Sequence, residues 1–371
     1  MAMTGAMSAA VSGLKAHMDA LNVVGNNVAN VNTPGYKPGR VTFKESIYST
    51  QSAGSLGTDV VGGTNPRQTG YGFSIGTIDL DMSTKALDAT GLATDCAIQG
   101  DGFFLVGDKT GVSSDSLDSL SLSKVGNFRF IDGYLVDGQG QVVYGFLTCN
   151  TTADGGKADA AGVNGDAIST QLVPIRLPQK AVGNTDPNAD TGADDYIAPG
   201  SALYPGVSDN GTNVDAAVGP DDENSTGDFI DYESLKIDEN GKITCINKDT
   251  KEPVVVGYIA LGSVDNPNGL VHTSGPYYKA QGSAGNITVS TPGSAVQGYL
   301  DNQEADDDPD PATRLSAGSQ VTLMTGFLEQ SGTDLATEFS NMIVYQRGYQ
   351  ANTRIVTVTD SMLEELVNMK R

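Results

Sequence analysis

The chain has 371 residues, 46 of them glycine and none tryptophan, with 45 acidic against 22 basic residues and a formal net charge of -23 at neutral pH. That length allows two or three domains with ample core, and the acidic surplus disfavours nucleic acid and anionic membrane as partners. Three cysteines at long spacing (Cys96, Cys149, Cys245) contain no CxxC pair. They are expected to be free buried thiols rather than a disulfide framework or a zinc site.

In chain order, the first element is a helix predicted over about Thr4 to Val31. Met7, Val11, Leu14, Met18, Leu21, Gly25 and Val28 recur in steps of four and three, a heptad stripe suited to packing against another helix. Asn22, Asn26, Asn27 and Asn30 lower its intrinsic propensity, so it needs a partner to be stable. Thr33-Pro34-Gly35-Tyr36 ends it: proline pushes Thr33 out of the helical region, and Pro34-Gly35 fits a type II turn. Residues 1–31 lack the basic start and unbroken apolar run of a signal peptide, and no segment reaches the length of a membrane helix.

From 32 to 70 the text is mixed. Residues 41–49 suit a strand or a short helix, and Gly54, Gly57, Gly62 and Gly63 mark a compliant linker. From Tyr71 strands dominate. Residues 96–108 read as strand, Gly-Asp-Gly turn, strand. A hairpin turns at Asp132-Gly133, as a two-residue loop demands, and another at Asn240-Gly241. Residues 149–231 shift to Ala, Gly, Asp and Pro with short strands such as 172–177, which suits an inserted outer domain. Residues 254–264 read as a buried strand, and the acidic run 301–311 as a solvated loop.

The last element is a helix from Leu335 onward. Its stripe is Leu335, Phe339, Met342, Tyr349, Val356, Leu363 and Val367, with Leu366 in a second apolar row beside it. Two such rows suit a layer of many helices better than a single pair. The β-branched run Ile355–Thr359 is where a kink is expected if there is one.

Catalytic chemistry finds no support in these motifs. His17 falls on the first helix and His272 in a strand-like stretch, and no nucleophile elbow accompanies either. Gly100-Asp101-Gly102 leads into a strand and carries an acid where a phosphate would sit. The acidic clusters lack calcium-loop spacing. No enzyme activity, metal or cofactor is expected.

The charge is unevenly placed. Residues 1–50 and 323–371 together balance, while 51–322 carry 37 acidic and 14 basic residues. Neutral apolar ends around an acidic middle suggest ends buried in something and a middle facing water. The predicted fold is mainly β with helical termini that pair as a coiled-coil-like inner domain. The divisions are 1–31 with 333–371 (helical, inner), 32–70 with 323–332 (linkers), 71–148 with 232–322 (central β domain) and 149–231 (inserted outer β domain). The helices are expected to be loose alone and ordered in an assembly. A secreted adhesive or carbohydrate-binding β-protein is the reading from a different class.

Three stretches, Ser12–Lys37, Cys96–Gly145 and Gly326–Met369, resemble the axial rod-and-hook proteins of the bacterial flagellum, and the hook proteins most closely. Asp265–Leu270 is similar too. Ser331-Gly332-Thr333 and Tyr36 depart from the usual pattern. The resemblance implies a structural subunit that polymerises helically into a flexible, hollow, curved tube acting as a universal joint between rod and filament, with the distal rod as the alternative. It implies subunit packing through Met7, Val11, Leu14, Met18, Leu21, Val28, Leu335, Phe339, Met342, Tyr349, Val356, Leu363, Leu366 and Val367. Pro34, Gly35, Gly62 and Gly63 would serve the turn and linker. The implied partners are further copies of the chain, the distal rod, hook cap and hook–filament junction proteins, and the flagellar type III export apparatus. The implied location is the extracellular flagellum, reached without a cleaved signal, with no nucleic acid and no membrane insertion.

Overall fold

The computed structural model describes residues 2–57, 62–109, 117–148, 172–181, 196–197, 208–209, 212–213, 225–248, 251, 253–294 and 321–369. Cys149 and the acidic run 301–311 lie outside them. The chain divides into two compact units, Met1–Met82 with Ser331–Arg371, and Ser83–Gln330.

The first unit holds two long helices, α1 (Ala2–Ala29) and α2 (Leu335–Asn368), and four strands. The strands are β1 (Gly39–Glu45), β2 (Tyr48–Ser52), β3 (Arg67–Gly70) and β4 (Phe73–Leu80). α1 ends two residues before the predicted Val31, and the chain turns with Gly35 at φ 67°, where Tyr36 N donates to Thr33 O at 3.3 Å. That positive φ is what glycine supplies at the third position of a type II turn.

β1 pairs antiparallel with β4 from Gly39↔Leu80 to Glu45↔Phe73, and β2 with β3 from Tyr48↔Gly70 to Ser52↔Arg67. The predicted strand-or-helix ambiguity at 41–49 is resolved as strand. Residues 71–80, read from sequence with the central β domain, pair here with β1. Beyond β2 and β3, Ser55 and Thr64 exchange backbone hydrogen bonds of 3.0 Å each. A Cβ on Gly54 would stand 2.8 Å from Thr64 O, and one on Gly63 2.8 Å from Ser55 O. These two glycines let the strands cross closely, whereas Gly62 has nothing within 4 Å.

α2 is one helix through Ile355–Thr359, without the kink the sequence allowed. Its hydroxyls bond back into the helix. Thr353 donates to Tyr349 O (2.9 Å), Thr357 to Arg354 O (3.0 Å), Thr359 to Ile355 O (2.7 Å) and Ser361 to Thr357 O (3.0 Å). Each is satisfied by the preceding turn and so does not compete with the helix. Asp334 caps the start, accepting from Ala336 N at 3.0 Å and Thr337 Oγ1 at 2.6 Å.

The second unit is built on a sheet of 13 strands among the described residues. Its spine runs Tyr232–Ile237, Lys242–Asn247, Pro253–Ile259, Val142–Leu147, Phe103–Gly107, Ser121–Ser123, Tyr277–Ala280, Leu270–His272. The Asp132-Gly133 hairpin forms as predicted, with Ile131↔Tyr134 paired and both turn residues at positive φ (51° and 76°). That pair of angles is the type I′ turn whose twist matches the strands. The second hairpin turns on Glu239-Asn240-Gly241, one residue longer than expected, with Gly241 at φ 73°.

One reading is borne out here and one corrected. The strands Cys96–Gln99 and Phe103–Gly107 form where they were predicted, the former pairing with Thr322–Thr325 and the latter with Val142–Leu147, Ser121–Ser123 and Leu261–Val264. Residues 254–264, read as one strand, belong to two, Pro253–Ile259 and Leu261–Val264, broken at Ala260 and paired with different partners.

The core gathers Phe104, Phe128, Leu135, Val143, Leu147, Ile243, Val256, Ile259 and Leu261, with both Cys96 and Cys245 buried among them. Burial pushes each of these thiols up to about 12, so they pack as small apolar groups and do not act as nucleophiles. Residues 172–177, read from sequence as part of an outer insertion, contribute Val173, Ile175 and Leu177 to this same core. Apart from the large sheet stand a sheet of Gln179–Ala181, Tyr196–Ile197 and Ser225–Phe229 and a pair of Ser208–Asp209 with Thr212–Asn213.

Candidate functional site

The candidate site is the paired terminal helices. Three contacts fix their register: Gly13 meets Asn352, His17 meets Gly348, and Asn27 meets Glu338. As numbers rise along α1 they fall along α2 residue for residue. The helices are therefore antiparallel and in unbroken register over this span.

The line that α1 buries is Ala10, Gly13, Ala16, Ala20, Val24 and Asn27, mostly small residues. Small side chains let two backbones approach, and the glycines mark the closest points. A Cβ on Gly13 would lie 2.6 Å from Asn352 Nδ2, and one on Gly348 2.5 Å from His17 Nε2. Gly348 is thus explained by the ring that needs its space, at a helix-propensity cost of about 1 kcal/mol.

His17 lies within an aromatic box. Phe43 of β1 and Phe73 of β4 approach edge-on, with centroids at 5.8 and 5.3 Å, and Tyr345 of α2 stands at 6.2 Å. Burial lowers the imidazole pKa below its ordinary 6.5, and Nδ1 is buried with no hydrogen-bond partner. Burial also raises the Tyr345 phenol, with a further push from the Glu338 charge.

Asn27 is the hub at the other end of the pair. Its Oδ1 accepts from Gly39 N and from Tyr36 OH, each at 3.0 Å. Its Nδ2 donates to Gly39 O at 2.9 Å and to Glu338 Oε1 at 3.0 Å. All four hydrogen-bonding positions of a buried carboxamide are filled, tying α1, the start of β1 and the first turn of α2 together. Burial raises the Glu338 pKa; the Asn27 hydrogen bond opposes this and the Asp334 charge adds to it.

The residues singled out for subunit packing mostly lie off this line. Val11, Met18, Leu335, Phe339, Tyr349, Leu366 and Val367 are exposed, whereas Met7, Leu14, Leu21, Val28, Met342, Val356 and Leu363 are half-buried. Ile343, Val344, Ile355, Val358 and Met362 are exposed as well. Of the turn and linker residues, Gly35 is buried, while Pro34, Gly62 and Gly63 are exposed. Sequence reasoning missed Asn27 and Gly348, because low helix propensity was the one signal they carried.

A pair of long helices that leaves large apolar side chains in water, in a chain that also holds a β-sheet unit, defines a structural chain that needs further partners along its length. Comparison with known proteins names the family. Residues 7–37 match the family described as flagella basal body rod protein, and residues 324–369 the one described as flagellar basal body rod FlgEFG protein C-terminal. The flagellar basal-body rod protein FlgG of Bacillus subtilis is 30% identical over 363 residues, covering 97% of each chain. The flagellar hook protein FlgE of Borreliella burgdorferi is 27% identical over 463 residues (97% of this chain, 98% of the relative). That of Salmonella typhimurium is 26% identical over 425 (98% and 99%). The chain belongs to the flagellar rod and hook family of axial structural proteins.

Proposed function

We propose that the chain is the hook subunit, polymerising helically into a flexible, hollow tube between rod and filament. The reading rests on the strands within 149–231 that stand apart from the large sheet, because an additional outer portion suits a hook better than a compact rod subunit. The distal rod is the second reading, favoured by the 30% identity to the Bacillus subtilis rod protein over 97% of both chains. In either case the exposed apolar rows of α1 and α2, from Met18 and Val11 to Phe339, Leu366 and Val367, are the surface that other copies cover. Met369 and Val367, 82% and 70% exposed, carry most of their area in water; burying such side chains is worth roughly 1.5–3 kcal/mol each. The partners on this reading are further copies, the distal rod, hook cap and junction proteins, and an export apparatus that reads no cleaved signal.

Electron microscopy of the concentrated full chain tests this. Curved or bendable tubes support the hook, and straight stiff ones the distal rod. Val367→Glu with Phe339→Glu should abolish assembly and leave the β-sheet unit folded; tubes formed by that double variant would sink the assignment of these faces.

A further inference from the structure

We propose that His17 makes the pairing of α1 and α2 acid-sensitive: a proton on the imidazole drives the ring out of its aromatic box and frees the Gly348 face of α2. The inference is the same for a hook or a rod subunit. It starts from geometry. The ring fills a slot that exists because α2 has glycine at 348, where a Cβ would lie 2.5 Å from Nε2. Phe43, Phe73 and Tyr345 stand around the half-buried ring, and Phe43 itself packs edge-on to Phe73 (5.3 Å) and Tyr345 (5.9 Å). Expelling the ring therefore undoes one shared cluster that joins α1, β1, β4 and α2.

The imidazolium has two N–H donors. Nδ1 is buried and has no acceptor, so the charged form leaves a donor unsatisfied, which costs a charged group more than a neutral one. Contact between a cation and ring faces works the other way, but only weakly at a partly exposed site. The first effect is the larger, in agreement with the lowered imidazole pKa.

The groups facing His17 supply no compensating charge. From α2 the titratable neighbour is the Tyr345 phenol, which stays neutral because burial raises it. β1 and β4 present Phe43 and Phe73, which do not titrate, and Lys44 beside Phe43 is exposed. Glu338 acts on this box through Tyr345 and has the opposite sign: its raised pKa makes the folded state hold a proton more tightly. Because the folded His17 pKa is depressed, its contribution is complete above pH 6.5 and is lost as pH falls through the folded value.

The test uses the full chain at a concentration where circular dichroism shows both helices. Histidine ring signals are followed by NMR from pH 8 to 4.5, with His17 identified by its loss in His17→Gln. The His17 ring should titrate below 6.5. The folding equilibrium constant should fall with acid by up to about tenfold per pH unit between the two His17 pKa values, and this slope should vanish in His17→Phe. A His17 ring titrating at or above 6.5, or an unchanged slope in His17→Phe, would overturn the proposal. If His17→Phe does not fold, the titration of the unaltered protein decides alone.

Discussion

The imidazole of His17 occupies the place where a side chain on Gly348 would begin, 2.5 Å from an ideal Cβ. The same relation recurs at Gly13, whose Cβ would meet Asn352 Nδ2 at 2.6 Å. The two helices therefore trade side chains for glycines in both directions.

Gly348→Ala sets helix propensity against packing. Alanine gains about 1 kcal/mol in a helix, but overpacking costs about 1–3 kcal/mol, and the ring sits in an aromatic box that resists displacement. A net loss of about 1 kcal/mol is expected. Gly25, also in α1, is exposed with nothing within 4 Å, so Gly25→Ala should gain about 0.5–1 kcal/mol. Thermal melts followed at 222 nm separate the two, and shifts of the same sign would remove the steric account.

Asn27→Ala removes four hydrogen bonds at a buried site. Gly39 N–H and Tyr36 O–H lose their acceptor, and Glu338 loses its donor, so a cost of at least about 3 kcal/mol is expected at about 1–3 kcal/mol per stranded group. Asn27→Asp keeps the acceptor and sets a second carboxylate against Glu338. Its urea midpoint should be lowest near pH 7 and recover toward pH 4 more steeply than that of Asn27→Ala, in which only the burial of Glu338 and the Asp334 charge drive recovery.

Glu338→Gln tests the carboxylate itself. The folded pKa is raised, chiefly by burial, so stability is complete below the unfolded pKa of about 4.5 and declines as pH rises through the folded value. Glutamine can still accept from Asn27 Nδ2 and bears no charge. The variant should be more stable than the unaltered chain at pH 7, equal to it near pH 4, and flatter between. A parallel pair of urea-midpoint curves would count against a strained carboxylate.

Gly133 and Gly140 both have positive φ, 76° and 89°, but differ in surroundings. A Cβ on Gly133 would lie 2.3 Å from Phe229 Cδ2, whereas Gly140 has nothing within 4 Å. Gly140→Ala should pay the left-handed backbone cost alone, about 1–2 kcal/mol, and Gly133→Ala at least about 1 kcal/mol more. Chemical denaturation of the β-sheet unit reads the difference.

Much of the local structure was legible in residue pattern. The helix at each end followed from apolar recurrence, the end of α1 from Thr33-Pro34-Gly35, and the hairpin at Asp132-Gly133 from its turn residues. These depend on neighbours in sequence, whose geometry a few dihedral angles fix. The strand after Gly102 was found without its partners, because pairing depends on which distant segments complete the ladder.

The sequence by itself determined that the two ends are helices with more apolar surface than one pair can bury. The tertiary structure decided which face turns inward. Periodicity pointed to the large residues, Leu335, Phe339 and Met18, yet the buried line of α1 is Ala10, Gly13, Ala16 and Ala20. Close approach of two backbones favours small side chains and leaves the large ones outward. Asn27 is the sharpest case. Propensity marks it as a weak helix residue, and only the approach of Glu338, 311 residues away, gives its fourth hydrogen bond a partner.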